Sequence, residues 1–394
     1  MTEAIAVGSS LRSLARDAGR GAVIATIAFL TLVDLFAAQA VLPSLARAYG
    51  VSPGVMGLAV NASTLGMAIA ALTVALVSAR IERRRGIVIS LCLLAVPTLL
   101  LGYAPDISTF SLLRVVQGLC MATAFSLTLA YLGENCASHV ASGAFAAYIA
   151  GNVASNLFGR LASASLAEHL GLRGNFIVLA ALNLAGAVFV ISTIRMSRAP
   201  AASRNSGEGL AGLRANLGQP EQVASYFIGF LILFAFIGAF SFINFVLARP
   251  PISLDGRMLG LVYLVFAPSL VTTPLAGRAA SAWGARRAIL TGLAVAAAGL
   301  PLLLAISLPA ILLGLCLMGV GTFFAQAVTS GYATTKAREH RGAASGLYLA
   351  SYFSGGLVGA AVLGQVFERF GWPGCVAGVF VALAAAAVAA RRIA

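Results

Sequence analysis

Residues 146–174 of this chain, AAYIAGNVASNLFGRLASASLAEHLGLRG, return 200 positions later as LYLASYFSGGLVGAAVLGQVFERFGWPG at 347–374. Tyr148 falls on Tyr348, Leu157 on Leu357, Gly159 on Gly359, Glu168 on Glu368, Gly171 on Gly371 and Gly174 on Gly374. Both copies are apolar, rich in small residues and closed by a short charged corner. Solenoid repeats recur every 20–50 residues or so. A spacing near half the 394-residue length therefore marks a duplicated half-protein, and the fold must be built twice from one pattern.

The environment of that fold follows from composition. Hydrophobic residues make up 60% and charged residues 10% of the chain, with a mean hydropathy of +0.96. Soluble domains carry roughly 45–50% apolar and about 25% charged residues, so a soluble protein is excluded. A membrane helix needs about 20 apolar residues. Cutting at charges, Pro and Gly gives twelve candidate spans: 22–46, 54–79, 86–104, 109–132, 142–167, 173–195, 223–248, 258–277, 287–306, 309–332, 343–367 and 373–390. The expectation is an all-α integral membrane protein. It has an N-terminal segment at 1–21, a six-helix half at 22–196, a linker at 197–222 and a second six-helix half at 223–394.

The net charge of +14 raises nucleic acid as a partner, but its distribution argues for topology. With the N-terminus inside, cytoplasmic segments hold nineteen of the 26 lysines and arginines and outer loops hold five. That is the positive-inside pattern. The other two, Arg114 and Arg160, fall within spans. The arginine-bearing start of the chain lacks a short apolar core with a small-residue cleavage site, and reads as an amphipathic cytoplasmic lead-in, not a signal peptide. The five cysteines show no CxxC spacing and the three histidines no cluster, so neither disulfide nor metal site is indicated. No nucleophile–base pair or phosphate loop appears, which argues against an enzyme. The longest hydrophilic segment is too short to fold alone, which argues against a scaffold or sensor.

Four stretches carry a family resemblance. The fifth span holds GN followed by GR (Gly151, Asn152, Gly159, Arg160), and the eleventh holds SGLYLASYFSGG at 345–356. The first ends in QAVLP at 39–43 and the fourth carries RVVQG at 114–118. With these the chain resembles, over nearly its whole length, the major facilitator superfamily, and within it the YnfM-like or arabinose-efflux permease subfamily. The resemblance implies twelve helices in two pseudo-symmetric halves, alternating access and the direction of efflux. It also implies a cavity lined by helices 1, 4, 7 and 10.

The loop SARIERRRG at 78–86 resembles the superfamily's cytoplasmic gating motif. Arg80, Arg84 and Arg85 are kept, whereas Ala79 stands where the family has Asp and Glu82 where it has Gly. The counterpart at 277–287 keeps Gly284, Arg286 and Arg287 and likewise lacks an acid. These residues either gate the cytoplasmic side, Glu82 standing in for the missing acid, or anchor topology at an anionic leaflet.

Asp34 is the acid that lies deep in an apolar run, about 18 Å along its span and past the middle of a core about 30 Å thick. A carboxylate there must be paired, cavity-facing or protonated. The readings are a proton carrier, a structural acid paired to Arg114, or a substrate contact. The resemblance implies that Arg114 tunes a proton site, while a snorkelling Arg is the alternative. Gln117 and Met121 share its helix face.

Asn152, Asn156 and Arg160 form a polar stripe at i, i+4 and i+8, either packing glue or a ligand contact. The seventh span carries Phe230, Phe234, Phe245, Ser241 and Asn244; the tenth carries Thr322, Phe323 and Gln326. With Gln39, Asn61, Gln117, Met121, Tyr263 and the Asn152, Asn156 and Arg160 stripe these make the expected cavity, suited to an amphipathic organic molecule. Two buried arginines against one acid tilt the substrate toward anionic or neutral. The expected protein is a proton-coupled exporter of a small organic compound; a proton-independent facilitator or importer of an organic anion is the alternative. Its expected partners are substrate, protons and lipid, with no cofactor and no nucleic acid. It is expected as a monomer in a bacterial-type inner membrane with both termini cytoplasmic.

Overall fold

A backbone crossing hydrocarbon must satisfy its own hydrogen bonds, so apolar runs of this length become helices. The computed structural model describes residues 2–77, 81–135, 138–194, 208–337 and 340–393; for 2–20, 133–135, 138–146 and 208–210 only the backbone is described. The helices are α1 (Thr2–Ala40), α2 (Leu42–Tyr49), α3 (Pro53–Asn61), α4 (Ser63–Val77), α5 (Arg83–Leu101), α6 (Ile107–Asn135), α7 (Ser138–Thr193) and α8 (Glu208–Leu217). They continue as α9 (Pro220–Leu247), α10 (Gly256–Val262), α11 (Ala267–Thr272), α12 (Ala276–Trp283), α13 (Ala285–Gly299), α14 (Leu308–Lys336) and α15 (Arg341–Ala389). No strand occurs among the described residues.

Ten stretches of the described residues are long and apolar enough to cross a bilayer, and two of them run to 47 and 52 residues. Those two lie in α7 and α15, which turn back at Gly171 (φ 71°) and Gly371 (φ 67°). A left-handed φ favours glycine because it has no Cβ. The repeated glycines are therefore the corners of the two half-proteins, and counting each long stretch as two spans gives the expected twelve.

Three boundaries differ from the sequence expectation. The lead-in is helical and continuous with the first span, and α1 stops at Ala40 rather than 46. Pro43 forces that stop: it has no N–H for the carbonyl of Gln39, four residues back. The eighth span is no uniform helix. It alternates α10, a 3-10 turn at Tyr263–Phe266, α11, a second 3-10 turn at Thr273–Leu275 and α12, with Pro268 and Pro274 breaking the ladder. Within the linker, Glu208–Leu217 forms α8 and α9 begins at Pro220; residues 195–207 lie outside the described residues.

Packing repeats as the sequence does. In one half α1 lies along α7, and in the other α9 lies along α15. Gly159 and Gly359 hold equivalent places in these seams, facing Val33 and the Phe234 backbone. Between halves the partners swap: α15 packs on α3 and α4, and α7 on α10. At the end of the bundle opposite the arginine-rich loops, Glu368 on α15 accepts from the Ser52 hydroxyl and from the Gly54 N–H (2.9 Å) at the start of α3. Its repeat equivalent Glu168 on α7 pairs with Arg257 at the start of α10 (3.5 Å).

Candidate functional site

Two polar clusters lie buried in this frame, and α1 contributes to both. The first surrounds Asp34, which is 1% exposed. Its Oδ2 accepts from Asn183 Nδ2 (2.7 Å), while Oδ1 has no hydrogen-bond partner. Arg114, fully buried on α6, donates to the Asp34 main-chain carbonyl (3.2 Å) and not to its carboxylate. The guanidinium also donates to the Val60 carbonyl (2.8 Å), to Ser63 Oγ (2.9 Å) and to Gln117 Oε1. Gln117 and Asn183 both donate to Thr98 Oγ1, at 2.8 and 3.3 Å.

The expected approach of Asp34 and Arg114 is therefore met through the main chain. A snorkelling Arg114 is ruled out by its burial and its four acceptors. The residue after the motif's Gln explains the reach: a Cβ on Gly118 would stand 1.9 Å from the Ser63 carbonyl oxygen, so only glycine lets α6 come this close to α4. Met121 is fully buried in the core on the same helix. Thr98, Asn183 and Ser63 escaped the sequence reading. Neutral polar residues in apolar helices show no sign of which face they occupy.

The second cluster lies between the halves. Arg160 Nη2 donates to Gln39 Oε1 (2.5 Å), and Gln39 Nε2 donates to Asn61 Oδ1 (2.7 Å). Asn61 reaches Ser241 Oγ (3.4 Å). Asn244 donates to the Gln39 carbonyl (3.2 Å), the group that Pro43 leaves without a helical donor, and accepts from Tyr263 Oη (2.7 Å). Around the guanidinium stand five rings: Tyr263 at 4.5 Å, Phe36 and Phe266 at 5.6 Å, and Phe236 and Phe240 at 5.9 Å. Arg160 is fully buried, and its Nε and Nη1 have no hydrogen-bond partner. One turn along α7, buried Asn156 has neither amide atom partnered.

Of the expected cavity residues, Gln39, Asn61, Arg160, Ser241, Asn244 and Tyr263 come together. Phe323 joins at the rim, against Phe236 (5.4 Å) and Phe266 (5.8 Å). Phe230 and Phe234 do not; they stack on each other along α9 with Phe227. Thr322 bonds its own helix, Gln326 offers its carbonyl to Tyr348, and Asn152 is only half-buried, its carbonyl accepting from Ser155. Outward of Arg160 lies a cleft of about 670 Å³ whose lining includes Ala40, Ala164, Leu259, Phe245, Arg47 and Arg249.

At the basic end, Arg80 lies outside the described residues. Among the described residues, Glu82 bonds only within its own half. Its two carboxylate oxygens cap α5, accepting from the N–H of Arg84 (3.1 Å) and Arg85 (2.7 Å). Arg84 donates to the Ile191 carbonyl (2.6 Å). Arg85, Arg286 and Arg287 are exposed, and Gly284 (φ 82°) turns the chain between α12 and α13. Beyond the spans, the N–H and hydroxyl of Thr109 hold the Asp106 carboxyl below the usual carboxylate range at the start of α6.

Twelve spans in two like halves, meeting along a buried polar cluster, are the build of a multi-pass membrane transporter that works by alternating access. The profile of the Major Facilitator Superfamily matches residues 24–256 and 226–393, and the chain belongs to that family. It is 26% identical over 350 residues to the uncharacterized MFS-type transporter YybF of Bacillus subtilis, covering 88% of this chain and 86% of that one. It is also 26% identical over 355 residues to the inner membrane transport protein YnfM of Escherichia coli, covering 90% and 84%. Among solved structures it is similar in fold to a bacterial homologue of the human lysosomal transporter Spinster (TM-score 0.74, 15% identity, covering 96% and 97%). The nucleoside transporter NupG is similar too (TM-score 0.71, 12% identity, covering 94% and 97%). Relatives by sequence and by fold are transporters, and the chain is a transporter rather than an enzyme.

Proposed function

We propose that this transporter exports a small organic solute in exchange for protons, with Asp34 as the proton-carrying group and the Arg160 cluster as the solute site. The observation that carries the coupling is a fully buried carboxyl with one oxygen bonded and the other unpartnered. Such a group inside a membrane protein marks a proton or ion pathway. The two clusters are joined mechanically. Arg114 ties the Asp34 main chain to Val60 and Ser63, and between those two lies Asn61, which bonds Gln39 of the solute cluster. A change of charge at Asp34 thus acts on the same turn that holds the solute site. The basic end is taken as cytoplasmic by the positive-inside rule. Export is the direction that resemblance to efflux permeases implies, and the working unit is a monomer.

The test uses purified protein in liposomes holding a pH-sensitive dye, with a pH gradient imposed and anionic, neutral and cationic organics added. Proton flux that depends on solute, and that falls at least about tenfold in Asp34→Asn, is the expected result. One observation favours a second reading: Asp34 bonds only residues of its own half. Were it structural, the chain would be a facilitator, and Asp34→Asn would move solute as well as the native protein does, with no proton flux in either.

A further inference from the structure

The Arg160 cluster holds a cation with no anion. Among the described residues, ion pairs lie elsewhere, at Glu168–Arg257 and Glu221–Lys336, and the buried Asp34 carboxylate is engaged by Asn183. An arginine has five N–H donors. Those on Nε and Nη1 are unused, and the Asn156 amide one turn away is unused at both atoms. Burying an unpaired charge costs several kcal/mol. The five ring faces offset part of that through cation–π attraction, but rings do not replace strong hydrogen-bond acceptors. The site as folded is short of one negative charge and of oxygen atoms to receive those donors.

We propose that the missing group is the carboxylate of a compact, flat organic monoanion, an arenecarboxylate or its conjugated equivalent. One guanidinium matches one carboxylate, and such pairs carry charge-assisted hydrogen bonds. Phe36, Phe236, Phe240, Tyr263 and Phe266 all stand within 5.9 Å of the guanidinium, so a carboxylate that reaches it brings its body against aromatic rings, and rings attract one another beyond simple area burial. Asn156 supplies a further donor and acceptor for a ring substituent. The way in is built beside the site. Ala40, Ala164 and Leu259 line the cleft, and they stand one residue from Gln39, one turn from Arg160 and one turn from Tyr263. All three are small or aliphatic side chains. Tyr263 and Phe266 belong to a 3-10 turn in the broken eighth span, and mid-span 3-10 turns commonly mark hinges.

The inference rests on the Arg160 cluster being the solute site, but not on proton coupling or direction. Its test is therefore binding at equilibrium without any gradient. Purified full-length protein in lipid nanodiscs is titrated at pH 7.5 with radiolabelled benzoate, 1-naphthoate and indole-3-acetate, and with the matching carboxamides. At least one carboxylate should bind saturably and at least about tenfold more tightly than its carboxamide, and it should raise the thermal unfolding midpoint. Arg160→Gln should abolish that preference.

A variant that merely misfolds does not spoil the test, because the comparison of carboxylate with carboxamide is made on the native protein. A structural arginine is separated by a second readout. Without ligand, Arg160→Met should unfold no earlier than the native protein, since it removes an uncompensated charge. The proposal is overturned if no carboxylate binds, if carboxylate and carboxamide bind alike, if Arg160→Gln keeps the preference, or if unliganded Arg160→Met is clearly less stable. Carboxylate binding together with failed proton coupling would sink the antiport reading alone. Proton flux driven by neutral or cationic solutes, with no carboxylate binding, would sink this inference alone.

Discussion

Asp34 and Gln39 lie little more than one turn apart on α1, yet the clusters they join are built in opposite ways. Around Asp34 the cation is saturated: Arg114 uses Nε, Nη1 and Nη2 on acceptors from its own half. Around Arg160 the partners come from both halves, and two of its three guanidinium nitrogens bond nothing. A saturated network inside one half moves with that half as a body. An unsaturated one on the seam is taken apart and remade whenever the halves swing. The first cluster is nearly complete within one half, and the second leaves guanidinium donors unpaired between the halves.

The comparison breaks most easily at its arginines. Arg114→Met strands several buried acceptors and the Asp34 charge, and should lower stability by about 3–5 kcal/mol. Thermal unfolding in detergent reads that loss; equal losses in Arg114→Met and Arg160→Met would erase the distinction. Asn183→Leu is the next step down. It removes the donor to Asp34 and should cost about 1–3 kcal/mol, seen as a lower midpoint in the same assay, with solute binding retained. The smallest effect belongs to Tyr263→Phe, which removes one hydrogen bond to Asn244 but keeps the ring over Arg160. A loss of about 0.5–1.5 kcal/mol in unfolding, and little change in binding, would sharpen the view that the ring face matters more than the hydroxyl.

Much of this is legible in the sequence. Charges in apolar runs are so costly that Asp34, Arg114 and Arg160 announced themselves, and the repeat located both glycine corners. What stayed hidden was helical phase. On α9 the sequence offers Phe230, Phe234, Phe236, Phe240 and Phe245, and an all-round apolar helix carries no moment to say which faces the seam. Phe230 and Phe234 stack away from the Arg160 cluster, whereas Phe236 and Phe240 stand against its guanidinium, a difference of helical phase. Thr98 and Asn183 were invisible for the same reason, since their meeting depends on how α5 and α7 are rotated. Glu82 shows a different limit: a carboxylate just before a helix also has a local use, as the cap of that helix.

Glu168 and Glu368 began as one residue of an ancestral half, and each now fastens the same end of the bundle to the opposite half. The duplicated clasp has become lopsided. One side grips a guanidinium in an exposed ion pair, the other a hydroxyl and a backbone N–H. Exposed contacts of the first kind are worth about 0–1 kcal/mol, so the ion pair adds little to the packing of α7 on α10. A solute worth a few kcal/mol more to one state than to the other then decides which way the molecule faces. Salt screens the guanidinium side far more than the amide side. Rising ionic strength therefore loosens α7 from α10 before it loosens α15 from α3, and two halves born alike part unevenly.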